Sequence, residues 1–131
     1  MPHDHPIKVF LADDSAMIRA QVAQLLAAQP VAIVGEAGTP QECIDAILAS
    51  RPDVVVLDVQ LEGGVGLDVL RGVRAAAPEI AFVVFSNHSA PAYRRRYLAA
   101  GASRFIDKST EFDQLPGAVA TTARMFATVR N

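Results

Sequence analysis

Cysteine is nearly absent: Cys43 stands alone in 131 residues. An internal disulfide is therefore ruled out, and with it the disulfide-rich secreted classes; a reducing, cytoplasmic setting is expected. No apolar run approaches the ~20 residues that a membrane-spanning helix needs. The N-terminal stretch MPHDHP lacks both the basic end and the apolar segment of a secretory signal. An excess of one charge is missing too. Twelve Lys and Arg against 14 Asp and Glu leave a net charge of −2, which speaks against direct nucleic-acid binding. What remains is a globular composition, 51% hydrophobic and 20% charged, so disordered and fibrous classes fall as well. A single domain is expected over 1–131, with its core at about 7–129 and roughly two-thirds of the unfolded surface buried.

Strand-like and helix-like stretches alternate from end to end. Apolar, β-rich runs occur at Ile7–Ala12, Val31–Glu36, Asp53–Leu57, Ile80–Phe85 and Arg104–Ile106. Val54 to Leu57 and Phe82 to Phe85 are continuously apolar, as strands buried on both faces are. Ser15 is placed to cap a first helix in which Ile18, Val22, Leu25 and Gln29 share a face, with Leu26 beside it. Thr39-Pro40-Gln41-Glu42 reads as a capping box with proline at the first helical position, and Cys43, Ile44, Ile47 and Leu48 follow as the apolar stripe. Leu67, Leu70 and Arg74 mark a third helix, stopped by Pro78. Pro91 opens a fourth that ends at Gly101. The fifth, from Thr110, carries Leu115, Val119, Thr122, Phe126 and Val129 on one face, with Pro116 and Gly117 delaying its regular part to about Leu115. Five β/α pairs imply right-handed crossovers and a doubly wound five-stranded parallel sheet. Ligands of such sheets bind beyond the carboxyl ends of the strands.

At those ends stand Asp13 and Asp14, Asp58, Ser86 and Lys108, after the first, third, fourth and fifth strands. Three carboxylates gathered at one edge repel one another unless a cation neutralises them. An all-oxygen set without His or Cys favours a hard ion, Mg²⁺ first. Lys108 and Ser86 suit the oxygens of a phosphoryl group, and Asp58 is placed to carry one as an acyl phosphate.

Asp-Asp, Asp, Ser and Lys in this order, separated by 44, 28 and 22 residues, resemble the receiver domain of bacterial two-component response regulators. The resemblance covers roughly Ile7 to Val129. It implies a (βα)5 flavodoxin-like fold and a non-enzymatic signalling domain, with Mg²⁺-dependent self-phosphorylation and slow dephosphorylation as its only chemistry. By resemblance, Asp58 accepts phosphate from a sensor histidine kinase or a histidine phosphotransfer protein. Mg²⁺ is held by Asp13, Asp14, Asp58 and the backbone carbonyl of Gln60. Ser86 and Lys108 hold the phosphoryl oxygens, and Ser86 with the aromatic Phe105 forms the switch. The signalling face joins the fourth helix, fifth strand and fifth helix, with Arg94, Arg95, Tyr97 and Arg104 as its partner surface. The protein is expected as a monomer or phosphorylation-dependent dimer, without membrane contact.

The sequence departs from the family's commonest pattern at Glu62, Ser109 and Phe105, and in the pair Gln60 and His88. Glu62, followed by Gly63-Gly64, replaces a proline, which predicts a looser, more acidic loop. Ser109 replaces a proline after the lysine; a cis bond there would cost ~3 kcal/mol, so trans geometry or strain is expected. Phe105 lacks a tyrosine's hydroxyl. Gln60 and His88 occupy positions that tune dephosphorylation in the family. Plainer readings stand beside these. The three arginines Arg94 to Arg96 make a solvated face, Met17 packs, Cys43 is a buried structural thiol, and His3 and His5 around Asp4 belong to a frayed end. Two other functions stay open: a pseudo-receiver acting as a phosphate-independent adaptor, and a small aspartate-nucleophile phosphohydrolase. The latter is disfavoured by Gln60, where such enzymes carry a second acid. No output domain is expected after the fifth helix, and both a stand-alone regulator and a receiver excised from a longer one stay open.

Overall fold

A computed structural model describes residues 5–130, with side chains to 126. Ten main elements alternate: β1 (Ile7–Ala12), α1 (Ala16–Leu26), β2 (Val31–Ala37), α2 (Pro40–Ser50), β3 (Val54–Leu57), α3 (Gly66–Ala76), β4 (Ala81–Ser86), α4 (Pro91–Ala99), β5 (Arg104–Asp107) and α5 (Leu115–Arg130). The strands form one parallel sheet in the order β2-β1-β3-β4-β5, the flavodoxin-like arrangement. Every residue of β3 and β4 is buried, which is why both read as unbroken apolar runs. Alternate residues feed two cores. Phe10, Val55, Leu57 and Phe82 pack with Cys43, Ile47 and Leu70 on one side, and Val9, Leu11, Val56 and Val83 pack with Val22, Leu26 and Val119 on the other. Phe10 lies opposite Gly35 in the register, where a Cβ would sit 2.9 Å from its ring.

The caps fall where the sequence puts them. Ser15 accepts from Ile18 N–H, and Thr39 accepts from Glu42 N–H while its hydroxyl donates to the Glu42 carboxylate. Several boundaries move. α1 stops at Leu26, so Gln29 is not on its face; Pro30 disfavours helix at the residue before it and turns the chain instead. α4 ends at Ala99, and Gly101 turns at φ +113° against Arg74. A 3₁₀ turn, Phe112–Gln114, precedes α5, leaving Pro116 in a first turn that needs no N–H from it.

The largest difference follows β3. In place of a loose loop, Gln60–Leu61 and Gly64–Val65 pair as a short antiparallel hairpin about Glu62 and Gly63, with Gly63 at φ +78°. Glu62 N–H donates to the Gly38 carbonyl at 2.8 Å, tying the hairpin to the β2–α2 loop. Directly after it, Gly66 opens α3 against the backbone of Asp58: a Cβ there would lie 2.2 Å from the Asp58 carbonyl oxygen. Gly66→Ala is therefore expected to cost about 1–3 kcal/mol through overpacking. Gly117→Ala, with nothing within 4 Å, should instead gain about 0.5–1 kcal/mol. Thermal unfolding checks both, and equal responses at the two positions would refute the close approach.

Candidate phosphoacceptor site

Parallel strands end at one edge, and the register fixes which ends are neighbours. Ala12 pairs with Leu57, Leu57 with Val84, and Ser86 with Asp107. The residues just beyond are thereby brought together: Asp13, Asp14, Asp58 and Lys108, with Ser86 as the last residue of β4. One carboxylate oxygen from each of the three acids lies within 4.8 Å of the others. Asp13 and Asp58 are buried and Asp14 is exposed at the rim.

Lys108 stands between the two buried acids, its Nζ 2.8 Å from Asp13 Oδ2 and 3.0 Å from Asp58 Oδ2. The remaining oxygens are taken by backbone: Asp13 Oδ1 accepts from Ser15 N–H at 2.9 Å, and Asp58 Oδ1 from Val59 N–H at 2.7 Å. Burial favours a neutral Lys108, but the hydrogen bond to Asp13 and the two carboxylate charges outweigh it and raise its pKa above the ordinary value. Burial also pushes the Asp13 carboxyl up, the Asp58 charge adding, while Lys108 and the Ser15 N–H oppose it. Ser86 is fully buried and its Oγ accepts from His88 N–H at 3.1 Å.

Around this centre the loops are cross-tied. Gln60 Oε1 and His88 Nε2 meet at 3.0 Å. The described peptide bonds are all trans, Lys108-Ser109 included. Ser109 donates its N–H to Asp107 at 2.7 Å and its hydroxyl to Asn87 at 2.9 Å. Asp107 also accepts from Ser89 Oγ, and this bond, ahead of those from Ser109 and Thr110, holds its carboxyl below the usual range.

Two expected partner-surface residues are tied into the fold, one of them out of solvent. Arg94 is half-buried, donating to Ser89 O (3.3 Å), Phe105 O (3.1 Å) and Glu111 Oε1 (3.1 Å), with its guanidinium 5.2 Å above the Phe105 ring. Tyr97 is buried, its hydroxyl accepting from Leu67 N–H at 3.0 Å and its phenol pushed up to about 12 by burial. Its ring meets buried Phe105 edge-on at 6.1 Å. Arg95 and Arg104 are exposed as expected. Met17, expected to pack, is 70% exposed; it precedes Ile18, which with Phe112 and Lys108 borders a cleft of about 200 Å³. Cys43 is a buried thiol pushed up to about 12 by burial. His3 and Asp4 lie outside the described residues.

Sequence reasoning missed Arg19, Ser89, Asp107 and Glu111. Asp107 had a signal, since Asp followed two residues on by Ser109 is an Asx-turn pattern. The others reach partners that only the fold brings near. Since native Asp13 binds its proton more tightly than the unfolded chain, acidification through its native range favours the folded state. In metal-free protein, the Tm of Asp13→Asn minus that of wild type should therefore increase from about pH 4 to about pH 7. Thermal melts at the two pH values check this; a difference that falls as pH rises would contradict it.

Comparison with known proteins agrees with this edge. The family model for the response regulator receiver domain matches residues 9–120. The DNA-binding transcriptional activator DevR/DosR of Mycobacterium tuberculosis is 34% identical over 114 residues, covering 86% of this chain and 52% of that protein. Response regulator GacA of Pseudomonas aeruginosa is 28% identical over 114 residues, covering 86% and 53%. The chain thus spans about half the length of these relatives. Among solved structures, a two-component response regulator of the LuxR family from Aurantimonas sp. SI85-9A1 superposes with a TM-score of 0.87 at 26% identity, over 92% of this chain and 86% of that one. The response regulator domain of Thermotoga maritima CheB shares the fold, with a TM-score of 0.80 at 24% identity over 94% and 97%. Among the described residues no helix is long and apolar enough to cross a membrane. With the family model matching most of its length, the chain belongs to the receiver domains of two-component response regulators.

Proposed function

We propose that Asp58 is the phosphoacceptor of this receiver, taking its phosphoryl group from a phosphohistidine of a sensor kinase or phosphotransfer protein. The observation that carries this is the pairing of buried Asp58 with Lys108 beside Asp13 and Asp14. A carboxylate oxygen of Asp58 forms the new O–P bond as the donor's N–P bond breaks, and the electron pair stays on the imidazole nitrogen. Lys108 follows the negative charge outward onto the phosphoryl oxygens, and the Ser86 hydroxyl donates to another of them. Asp13, Asp14, Asp58 and the Gln60 carbonyl would hold Mg²⁺, and three oxygens within 4.8 Å with no softer donor suit that hard ion. When bound, it neutralises the charge built up on the transferred group.

In the signalling step, Ser86 moving toward the phosphoryl group changes the packing beside Phe105 and Arg94. The arrangement of α4 against β5 shifts with them, and exposed Arg95 and Arg104 meet a protein partner there. Arg94 and Tyr97 act from within, through Phe105 and Leu67. The partners in this reading are proteins, with no nucleic acid at these residues, and the domain works in the cytoplasm as a monomer or as a dimer formed on phosphorylation. The phosphohydrolase alternative gains no support, because the Gln60 side chain is turned to His88 and offers no acid. A pseudo-receiver would not need the complete set of acids, serine and lysine.

Acetyl phosphate with Mg²⁺ should add a single phosphoryl group to the intact protein. Asp58→Asn should carry none. Labelling that persists in Asp58→Asn, or proceeds without a divalent cation, would overturn the assignment.

A further inference from the structure

Arg19 lies in the first turn of α1, and its N–H donates to the Ser15 carbonyl at 3.0 Å. Helical side chains lean toward the N-terminus, so the guanidinium reaches back over the β1–α1 loop. Its side chain is 17% exposed. Nη1 donates to the main-chain carbonyl of Asp13 at 2.5 Å, and Nε donates to Glu36 Oε1 at 2.7 Å. We infer that Arg19 is a positioning residue for the cation site: holding the Asp13 carbonyl fixes the peptide from which Asp13 and Asp14 project. This rests on the phosphoacceptor reading above.

A second observation supports it from the neighbouring loop. A Cβ on Gly38 would come within 3.4 Å of both Arg19 Nη1 and the Asp13 carbonyl oxygen, and 3.3 Å of Asp14 Cα. Glycine thus leaves room for the contact. The Gly38 carbonyl in turn accepts from Glu62 N–H, and the Ala37 carbonyl from Asp13 N–H at 3.1 Å. Arg19 therefore sits where the loops carrying the acid pair, Gly38 and the Gln60 hairpin converge.

The charge arrangement identifies the role as positional. An unbalanced guanidinium beside a cation site would repel the ion, but Glu36 compensates this one at contact distance. Arg19 contributes a fixed fork of donors rather than a field. Lysine, a point donor on a flexible stem, lacks the planar fork that fixes the carbonyl and the Glu36 carboxylate in one geometry. Outer partners that orient metal ligands typically matter by 10–100-fold in metal affinity.

The test titrates the full chain with Mg²⁺, reading amide chemical shifts, and follows acetyl phosphate labelling by intact mass in parallel. Arg19→Met is expected to weaken Mg²⁺ about 10-fold, and Arg19→Lys less, while the labelling rate at saturating Mg²⁺ stays near wild type. Arg71→Met, on an exposed position of α3, controls for the lost charge and should match wild type. A merely structural Arg19 would lower Tm and leave half-saturation by Mg²⁺ unmoved; that result in a folded Arg19→Met overturns the inference. Should Arg19→Met not fold, Glu36→Gln, which leaves the cation uncompensated, must also weaken Mg²⁺, and unchanged affinity in it overturns the inference equally. A wild type that binds Mg²⁺ but takes no phosphoryl group strikes the phosphoacceptor reading while the Arg19 comparison still stands on affinity. A wild type that does not bind Mg²⁺ overturns both.

Discussion

The ammonium of Lys108, shared between Asp13 and Asp58, is the contact on which this edge of the sheet depends. Two carboxylate charges within 4.8 Å of each other repel by roughly 3 kcal/mol or more at an effective dielectric near 20. Without a counter-ion a buried pair would drive one acid to protonate. Parallel topology makes the crowding unavoidable, since β1, β3 and β5 all end at the same edge. Burial raises the Asp13 carboxyl first, with the Asp58 charge adding least, and Lys108 and the Ser15 N–H oppose both. In the proposed function a divalent cation at these acids would offset their charge and free Lys108 to meet the phosphoryl oxygens on Asp58.

Backbone donors hold this edge in shape, and they account for the two positions where proline is usual in the family. Glu62 and Ser109 both donate their N–H groups, to Gly38 and Asp107 respectively. Proline has no N–H to give. The departures therefore replace ring rigidity with hydrogen bonds: one fastens the hairpin to the β2–α2 loop, the other closes a turn after Lys108. Arg94 does comparable work on the far side. It links Ser89, Phe105 and Glu111, so the aromatic ring, the start of α4 and the approach to α5 are joined through one side chain.

Much of this was legible in the sequence because it follows local periodicity or strand-end position. Continuous apolar runs mark strands covered on both faces, and Thr39 with Glu42 marks a helix start. Asp13, Asp14, Asp58, Ser86 and Lys108 become neighbours by the topology alone. The illegible part is long-range and polar. Arg19 meets Glu36 and Tyr97 meets Leu67 across 17 and 30 residues, and neither pairing leaves a periodic trace. The resemblance puts Arg94 and Tyr97 on a partner surface, and nothing local in the sequence says that Arg94 reaches Phe105 and Glu111 or that Tyr97 is buried. Met17 reads as a packing residue beside the acids, yet it is exposed. The hairpin at Gln60 to Val65 was hidden by its brevity, two residues to a strand.

The most direct test of the electrostatic account is to determine the structure with Mg²⁺ and beryllofluoride bound and to measure where Lys108 Nζ lies. The account predicts that its 2.8 Å contact with Asp13 is broken and that the ammonium is on the fluoride cluster at Asp58, with Ser86 Oγ turned to the same group. Lys108 still bridging Asp13 and Asp58, with Ser86 and Phe105 unmoved, would contradict it.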